Sequence, residues 1–441
     1  MAIVNFYQSV DMLNPQIFYG SVTSATSRSI TIADGIGNSG TYSGSFYYSG
    51  GYLAGGTVNG YTAYRNYILS STVSNVSIDA LTLNGYLNSN NALGLYQAVL
   101  NTEDTIIGSP VNDYLKSWGG NDVLYGGQGS DYMDAGSGND TLDGGLGVDT
   151  VVLSGSRSGY FISSDGHSIT DRNLSNIDML INVERLHFTD VSIALDVGRG
   201  ETAGEVYRIY KAVFGRKADD SGLGYYIHQI DNGMSLKAVA NDFISSAEFT
   251  ARYGANASDE TFIRLLYNNV LGRDPDQGGF NYYMNQLSHG IGRTAVLIDF
   301  SESVENVNNI ATQLQRGDDY GDAFRLYKAA FNRTPDQGGL DYYTHQLQSG
   351  ISLQRVANDF IGSAEFQTKY GAGSSNETFV NLLYNNVLGR APDQGGYDYY
   401  LNQLNNGMSR ADALLSFSGS AENVSNSINL IGVGVHFQEW G

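Results

Sequence analysis

The organisation of this chain is decided by residues 101–152, which read NTEDTIIGSPVNDYLKSWGGNDVLYGGQGSDYMDAGSGNDTLDGGLGVDTVV. An aspartate recurs there every nine residues, and an apolar residue follows each aspartate by two positions. The aspartates are Asp104, Asp113, Asp122, Asp131, Asp140 and Asp149, and the apolar residues are Ile106, Leu115, Leu124, Met133, Leu142 and Val151. The stretch is therefore a tandem repeat with a period of nine residues.

This period predicts a coil of short strands and glycine turns. Glycine lets the backbone adopt positive φ values in a tight turn. A three-residue strand then points one apolar side chain into a core between two stacked sheets. If each repeat crosses to the other sheet, a full coil takes two repeats. The aspartates then form two rows: Asp104, Asp122 and Asp140 on one edge, and Asp113, Asp131 and Asp149 on the other.

The two rows of carboxylates predict calcium sites. Neighbours in a row would lie roughly 5 Å apart, where two charges repel by about 3 kcal/mol at an effective dielectric of about 20. Ca²⁺, bound by carboxylate and carbonyl oxygens in an irregular cage, would turn this repulsion into attraction. We therefore expect folding of residues 101–152 to depend on Ca²⁺. The expected metal residues are Asp113, Asp122, Asp131, Asp140, Asp149, Gly127, Gly129, Gly136, Gly138, Asn121 and Asn139.

The turns of residues 101–152 differ in how closely they keep the glycines of the repeat. Those before Asp122, Asp131, Asp140 and Asp149 carry glycines, whereas Pro110 and Val111 replace the glycines before Asp113. We therefore expect a few ions and not six.

The repeat resembles the nonapeptide G-G-x-G-x-D-x-U-x of the RTX (repeats-in-toxin) family. Its best copies are GGQGSDYMD (126–134), AGSGNDTLD (135–143) and GGLGVDTVV (144–152). The resemblance implies a parallel calcium β-roll in a secreted bacterial protein that leaves the cell by type I secretion. It also implies that low cytosolic calcium keeps the repeats unfolded, and that calcium outside the cell folds them.

Composition agrees with a protein that gathers cations. The 441 residues predict about three domains, and the formal net charge is −21, from 45 acidic and 24 basic residues. This charge argues against nucleic acid or an anionic membrane as a partner, since both need basic patches. The absence of cysteine excludes disulfides and thiolate metal sites. We see neither a secretory signal peptide nor an apolar run long enough for a transmembrane helix.

The region before the repeat, 1–100, is rich in Gly, Ser, Thr and Tyr. Alternating runs such as 28–33 and 61–69 predict β-strands joined by glycine turns. They suit either a cap on the roll or a tyrosine-rich surface that binds a subunit or a glycan. Residues 77–100 predict two short helices separated by an Asn-rich bend at 88–91.

The region after the repeat, 153–200, is predicted to continue as strands that cap the roll. Its run IDMLINVERLHF (177–188) resembles the segment that closes RTX rolls, and we expect it to hide an open sheet edge. Asp178 and Glu184 in this run are candidates for a terminal ion, although a capping role is the preferred interpretation.

A second repeat covers 201–317 and 318–427. The run YNNVLGRDPDQGGFNYY (267–283) recurs as YNNVLGRAPDQGGYDYY (384–400), and related copies begin near 206 and 323. The chain thus contains four units, each of which we predict to have three helices, with Asp219, Asp276, Asp336 or Asp393 capping the second helix. The R-x-P-D-x-x-G-x-x-Y-Y core resembles the DUF4214 domain, which accompanies RTX repeats in secreted and S-layer-associated bacterial proteins.

We find no catalytic signature: HExxH, the G-x-S-x-G elbow and the P-loop are all missing from the sequence. The four Arg–Asp pairs of the units, such as Arg216 with Asp219, are interpreted as helix caps. The final segment, 428–441, is predicted to be a strand, a secretion signal or both.

The sequence therefore predicts a multidomain β + α protein. A β-rich region (1–100) leads into a parallel calcium β-roll (101–152) with a strand cap (153–200), followed by an all-α array of four three-helix repeats. We expect a non-enzymatic, secreted calcium-binding protein that self-assembles into a homo-oligomer or polymer, such as a surface layer or matrix filament. The alternative is a calcium-dependent adhesin that binds a cell-surface glycan.

Overall fold

The computed structural model describes residues 1–163, 165–216, 218–315, 319–431 and 434–440. The chain divides into two units. The first contains Met1–Arg157 and His167–Ser192, and the second contains Ser158–Gly166 and Ile193–Gly441. The layout of a β-rich N-terminal part followed by a helical part confirms the predicted fold class.

The first unit begins with an antiparallel sheet and two helices. The strands are β1 (Ile3–Phe6), β2 (Ser21–Ala25), β3 (Ser29–Ala33), β4 (Ser39–Ser49), β5 (Tyr52–Arg65), β6 (Ile68–Ser74) and β7 (Ile78–Asp79). The helices are α1 (Ala80–Asn88) and α2 (Ala92–Val99), which confirms the two helices predicted around the Asn-rich bend. Their N-termini are capped by the side chains of Asp79 and Asn91.

One sequence interpretation in this sheet is wrong. The run 61–69 is not a single strand, because the chain reverses within it from β5 to β6. Asn66 and Tyr67 form the turn, with φ of 49° and 65°. Two successive residues with positive φ characterise the tight turn whose twist suits a β-hairpin. The turn contains no glycine or proline, and for that reason the sequence pattern predicts one strand across it.

The nine-residue repeats form two parallel sheets. Alternate strands lie in each sheet, so that each strand pairs with the strand two repeats away. The first sheet contains β8 (Thr105–Ile107), β10 (Val123–Gln128), β12 (Thr141–Leu146) and β16 (Ile177–Ile181). The second contains β9 (Tyr114–Lys116), β11 (Tyr132–Asp134), β13 (Thr150–Val152) and β17 (Arg185–His187). This register confirms the predicted two-repeat coil.

The apolar residue of each repeat lies between the two sheets. Leu124 pairs with Ile106 on one side and Leu142 on the other, and in the second sheet Met133 pairs with Leu115 and Val151. All six side chains are buried. The core of the roll is therefore narrow, with a single apolar layer contributed by each sheet.

The chain's first residues add a further coil to the roll. Strand β1 pairs in parallel with β8 and antiparallel with β6, which joins the roll to the N-terminal sheet. In the second sheet, the Met12 N–H donates to the Tyr114 carbonyl at 3.0 Å, and the Tyr114 N–H donates to the Val10 carbonyl at 2.8 Å. Residues 2–12 thus cover the first edge of both sheets.

The other end of the roll is covered by the segment predicted to close it. Strand β16 pairs in parallel with β12, and β17 pairs in parallel with β13. A further strand, β15 (Ser168–Asp171), pairs antiparallel with β16. The run 177–188 is therefore the last coil of the roll, which agrees with its resemblance to the segment that closes RTX rolls.

The second unit is mainly helical. It also contains the short strands β14 (Tyr160–Ile162), β18 (Ser192–Ala194) and β19 (Val435–Phe437). Its helices are α3 (Thr202–Phe214), α4 (Asp220–Asp231), α5 (Leu236–Ile244), α6 (Ala247–Tyr253), α7 (Asp259–Leu266), α8 (Gln277–Ser288), α9 (Arg293–Ser301), α10 (Val304–Gln315), α11 (Asp319–Phe331), α12 (Gln337–Gln348), α13 (Leu353–Gly362), α14 (Ala364–Tyr370), α15 (Asn376–Leu383), α16 (Gln394–Asn405), α17 (Arg410–Ser418) and α18 (Ala421–Ile431). Among the described helices, none is long and apolar enough to cross a membrane.

Over its described residues, each repeat of the second unit contains four helices, so the prediction of three is wrong. The additional helices are α6, α10, α14 and α18. Two of them have only seven residues, too few to show a helical period in sequence. Their start signal is the serine before them, because the side chains of Ser246 and Ser363 accept from the N–H groups of Phe249 and Phe366.

The predicted start of the second helix in each repeat is confirmed. The side chains of Asp219, Asp276, Asp336 and Asp393 accept a hydrogen bond from the N–H group of the glycine three residues later. In the second and fourth repeats the first helix ends in a π-turn, at Tyr267–Leu271 and Tyr384–Leu388. The identical sequence YNNVL occupies both turns.

The C-terminal segment combines helix and strand. Its first residues belong to α18, and residues 432, 433 and 441 lie outside the described residues. The strand is shorter than 428–441 and consists of β19, where Val435 and Phe437 are buried. The Gln438 N–H group donates to the Asp220 carbonyl at 2.9 Å, which anchors the segment beside α4.

Candidate metal centre

The aspartates of the roll form two hydrogen-bonded ladders. The backbone N–H groups of the first four aspartates each donate to a carboxylate oxygen of the aspartate one coil later. These distances are 2.7 Å from Asp104 to Asp122, 2.7 Å from Asp113 to Asp131, 2.7 Å from Asp122 to Asp140 and 2.8 Å from Asp131 to Asp149. The ladders confirm the two predicted rows and use one oxygen, Oδ1, of each carboxylate.

The second oxygen of the same carboxylates lacks a hydrogen bond in the described structure. The Oδ2 atoms of Asp122, Asp131, Asp140 and Asp149 are buried and have no hydrogen-bond partner among the described residues. A buried charged oxygen without a partner costs several kcal/mol. These four oxygens therefore require a positively charged ligand or a proton.

In two of the repeats, a glycine at the first position makes room for this oxygen. A Cβ atom added to Gly126 would lie 2.5 Å from Asp131 Oδ2, and one added to Gly144 would lie 2.5 Å from Asp149 Oδ2. Such a distance is a steric clash, so no other residue fits without displacing the carboxylate. Glycine is therefore needed at this position before Asp131 and Asp149, whereas Ser117 and Ala135 occupy it before Asp122 and Asp140.

Backbone carbonyls of successive glycine turns are also stacked. A Cβ atom added to Gly145 would lie 2.2 Å from the Gly127 oxygen, and one added to Gly147 would lie 1.8 Å from the Gly129 oxygen. All four glycines have positive φ, between 95° and 150°. Carboxylate and carbonyl oxygens are the ligands that Ca²⁺ prefers, so the residues of these turns fit the ion.

Burial raises the pKa of the ladder carboxyls. The pKa is about 7 for Asp122 and Asp131 and about 6 for Asp149, while that of Asp140 is also raised. The largest cause is loss of hydration, and for Asp122, Asp131 and Asp149 a neighbouring aspartate adds to it. Without a cation, these carboxyls therefore take up protons at a higher pH than ordinary aspartates do.

Asp113 differs from the other predicted metal residues. Its Oδ2 accepts the Ser109 N–H at 2.5 Å, and its Oδ1 accepts the Val10 N–H at 2.7 Å and the Ser109 hydroxyl at 3.1 Å. Asp104 at the same end accepts the Ala2 N–H group. At this end of the roll, N–H and hydroxyl groups of the protein therefore donate hydrogen bonds to the aspartate oxygens.

Asn121 and Asn139, also predicted as metal residues, form a separate ladder. The Asn139 N–H donates to Asn121 Oδ1 at 2.9 Å, and the Ile177 N–H donates to Asn139 Oδ1 at 2.8 Å. Both side chains are exposed. These contacts hold adjacent turns together.

The last coil supplies Asp178 and Glu184, the two residues named above as candidates for a terminal ion. The Asp140 N–H donates to Asp178 Oδ1 at 3.0 Å, and the Asp149 N–H donates to Glu184 Oε2 at 2.8 Å. Burial raises the pKa of Asp178 to about 7 and also raises that of Glu184. Both residues continue the ladders, although the intervening segment breaks the nine-residue period.

Within the described part of the chain, no group of three or more His, Cys, Asp or Glu side chains is placed to hold a metal ion. The absence of such a group agrees with the geometry of the roll. Each turn contributes one carboxylate, and the other candidate ligand oxygens in the turn are backbone carbonyls. Gly136 and Gly138, which we also predicted, have positive φ in the turn before Asp140.

The four Arg–Asp pairs of the helical repeats are held in a structural arrangement. Each arginine lies 3.4–3.7 Å from its aspartate and 2.7–2.9 Å from a glutamate at the start of the repeat's fourth helix. Each guanidinium also lies 4.9–5.2 Å from a tyrosine ring centre. The arginines are Arg216, Arg273, Arg333 and Arg390, and the glutamates are Glu248, Glu305, Glu365 and Glu422.

Comparison with known families agrees with both repeats. The family model described as "RTX calcium-binding nonapeptide repeat (4 copies)" matches residues 101–133 and 119–151. The model described as "Domain of unknown function (DUF4214)" matches residues 240–310, 323–356 and 357–427.

Comparison with individual curated proteins and solved structures gives no further information about function. No curated protein matches the chain. Among solved structures, the chain is similar to the extracellular lipase LipA from Serratia marcescens, at 27% identity and a TM-score of 0.18, over 19% of this chain and 14% of the lipase chain. The chain thus spans a small part of that lipase, and the similarity carries no argument about activity.

The two family matches cover residues 101–151 of the roll and residues 240–310 and 323–427 of the helical repeats. The chain is therefore a protein that combines RTX calcium-binding nonapeptide repeats with DUF4214 domains.

Proposed function

We propose that this chain is a secreted, non-enzymatic structural protein whose roll folds on Ca²⁺ outside the cell and which then self-assembles into a surface layer or matrix filament. The observation that carries the calcium step is the row of buried, unpartnered Oδ2 atoms on Asp122, Asp131, Asp140 and Asp149. Ca²⁺ at these oxygens would neutralise charges that otherwise oppose folding. Gly127, Gly129, Gly136 and Gly138 would contribute carbonyl oxygens from the same turns.

The location outside the cell rests on the family match and on the calcium requirement. RTX repeats are typical of secreted proteins, and extracellular calcium-binding modules work at about 10⁻⁴–10⁻³ M calcium. A roll that is unstable without calcium stays unfolded in the cytosol and folds after export. Type I secretion is the route that the resemblance implies.

Self-assembly is supported by an open sheet edge in the N-terminal region. Within the described residues, β2 pairs with β3 on one side only and is the last strand of its sheet. All five of its residues are exposed, and it carries neither charge nor proline. Natural edge strands are commonly protected by charges or proline against pairing with another chain. An antiparallel pair of β2 strands from two copies is the contact that we propose.

The calcium step is tested with tryptophan fluorescence. The chain has two tryptophans, Trp118 in a repeat turn and Trp440 near the C-terminus. In a Trp440→Phe background, Trp118 alone reports on the roll, and we expect its emission to change as calcium is added to chelated protein. An emission spectrum that does not respond to millimolar calcium would contradict calcium-dependent folding.

Assembly is tested by negative-stain imaging and light scattering in chelator and then in calcium. We expect ordered filaments or sheets only with calcium, and we expect Val22→Lys on β2 to prevent them while leaving the Trp118 response intact. Leu174→Lys is the matched control, because Val22 and Leu174 are 62% and 60% exposed in the same unit. Protein that folds with calcium but stays monomeric at high concentration would refute self-assembly alone.

A second candidate function is adhesion to a glycan. In three of the helical repeats the first tyrosine of the Tyr–Tyr pair is exposed, whereas the second packs against a core phenylalanine. Tyr282, Tyr342 and Tyr399 are 54%, 58% and 55% exposed. Aromatic rings exposed at equivalent positions suit stacking against sugars. Glycan-array binding that is lost in the three Tyr→Ala variants, with assembly unchanged, would favour this function.

A further inference from the structure

An apolar cavity lies inside the N-terminal region of the first unit. It is bounded by β1, β5 and β6 on one side, by α1 and α2 on another, and by the loop containing Gln16, Ile17 and Phe18. Its volume is about 130 Å³. Folded interiors rarely leave voids larger than a water molecule, and an engineered apolar cavity of about 150 Å³ is known to bind benzene. The size therefore suits a molecule with a ring-sized apolar body.

The walls of the cavity determine the charge of an occupant. They are formed mainly by aliphatic side chains, including Val58, Leu83, Leu87 and Leu95. None of the described residues that line the cavity carries a charge. An ionised ligand would lose its hydration there without a counter-charge in the walls, so the cavity selects a neutral molecule.

Three tyrosines add polar groups to these walls. Tyr42, Tyr61 and Tyr96 all line the cavity, and the ring centres of Tyr42 and Tyr61 lie 4.7 Å apart. In the described part of the chain, no side chain or backbone group forms a hydrogen bond with the three hydroxyls. Burial raises the pKa of Tyr61 to about 12 and also raises that of Tyr42 and Tyr96, so the hydroxyls remain protonated.

Apolar walls with a few convergent polar groups are the usual composition of a small-molecule site. We propose that this cavity binds a small, neutral, amphipathic molecule, with an aromatic or short aliphatic body and one hydroxyl or carbonyl group that the tyrosine hydroxyls recognise. This binding is separate from the calcium sites, because the cavity contains none of the ladder carboxylates. It gives the N-terminal region a function beyond capping the roll.

The test uses the full chain in calcium, with p-cresol and indole as probes in isothermal titration calorimetry. We expect saturable binding with a stoichiometry of one. Tyr61→Phe keeps the ring but removes one hydroxyl, and we expect it to weaken p-cresol binding about fivefold to tenfold, the usual effect of one lost hydrogen bond. Tyr67→Phe is the matched control, since Tyr67 is 80% exposed at the hairpin turn; its binding should be unchanged.

A second variant fills the cavity. Ala92 is buried in its wall at the start of α2, and Ala92→Leu should abolish binding of both probes while the far-UV circular dichroism stays that of the parent protein. If this variant does not fold, Val99→Phe on the same helix replaces it. Absence of saturable binding to the parent protein would overturn the proposal. So would binding that both Tyr61→Phe and the filling variant leave unchanged, or tighter binding of octanoate than of octanol, because the walls would then favour a charged ligand.

Discussion

Replacement of Asp131 by asparagine should change the stability of the roll in opposite directions with and without calcium. Asp131 Oδ1 accepts the Asp113 N–H, whereas Oδ2 is buried without a partner in the described structure. Asparagine has the same shape and keeps the accepting oxygen, but it removes the negative charge. Without calcium Asp131→Asn should therefore stabilise the roll, and with calcium it should destabilise it because an ion ligand is lost.

The magnitude follows from the pKa of Asp131. Burial raises this pKa from 3.8 to about 7, and each unit corresponds to about 1.4 kcal/mol. Ionised Asp131 therefore costs on the order of 4 kcal/mol when the pH is above 7. The asparagine NH₂ group would be buried without an acceptor, at a cost of about 1–3 kcal/mol. We expect Asp131→Asn to raise the free energy of unfolding by about 1–3 kcal/mol in chelator at pH 8.

The assay is urea unfolding followed by Trp118 fluorescence in the Trp440→Phe background. The control is Asp143→Asn in β12, whose carboxylate is partly exposed and accepts from Asn182 Nδ2 at 2.9 Å. This control should change the unfolding free energy by less than about 0.5 kcal/mol in either condition, as is usual for surface positions. If Asp131→Asn destabilises the chelated roll, or responds to calcium as strongly as the parent protein, the argument from the unpartnered oxygen is wrong.

Three further predictions test other parts of the structure. In chelator, the urea midpoint of the roll should rise as the pH falls from 8 to 5. The pKa values of Asp122, Asp131 and Asp178 are raised to about 7 and that of Asp149 to about 6, so the stability that protonation gives is present at low pH and lost as the pH rises through 6–7. A midpoint independent of pH would contradict this. Gly126→Ala should weaken calcium binding at least tenfold in a Trp118 titration, because its Cβ would lie 2.5 Å from Asp131 Oδ2. The control Gly85→Ala in α1, where an added Cβ meets nothing within 4 Å, should leave calcium binding unchanged. In the helical unit, Arg208→Ala should cost about 3–5 kcal/mol in a denaturation followed at 222 nm, since the buried guanidinium pairs with Glu302 at 2.6 Å and binds two backbone carbonyls. Arg390→Ala should cost at most about 1 kcal/mol, because its pair with Glu422 is exposed, and equal losses in the two variants would refute the role assigned to burial.

Much of the roll could be predicted because its information is local and repeated. One apolar residue per nine, with glycine in each turn, requires short strands, and stacking them places Asp104, Asp122 and Asp140 in one row. The aspartate caps of the helical repeats were predictable for the same reason, because an N-cap interaction spans three residues. Such features depend on neighbours in sequence and not on the rest of the fold.

Other features depend on which segment reaches an unpaired edge. Residues 2–12 lack the glycines of the repeat, and their one aspartate, Asp11, pairs with Tyr114 and not with a repeat aspartate. They nevertheless complete the first coil, because the open edges of β8 and β9 need hydrogen-bond partners. At the other end, Asp178 and Glu184 join the ladders after a long insertion that no period spans. Ser109 similarly takes an oxygen of Asp113 that a glycine turn would leave free.

The sequence by itself thus determined the calcium-binding repeat, its two-row coil and the repeated helical units, because spacing sets the local backbone geometry and the stacking of like units. Tertiary structure alone decided which carboxylate oxygens are free, since Asp113 and Asp131 follow the same period but only Asp131 keeps an unpartnered oxygen in the described structure. It also decided where the N-terminal sheet and its two helices leave a cavity, which depends on how side chains far apart in sequence fill space.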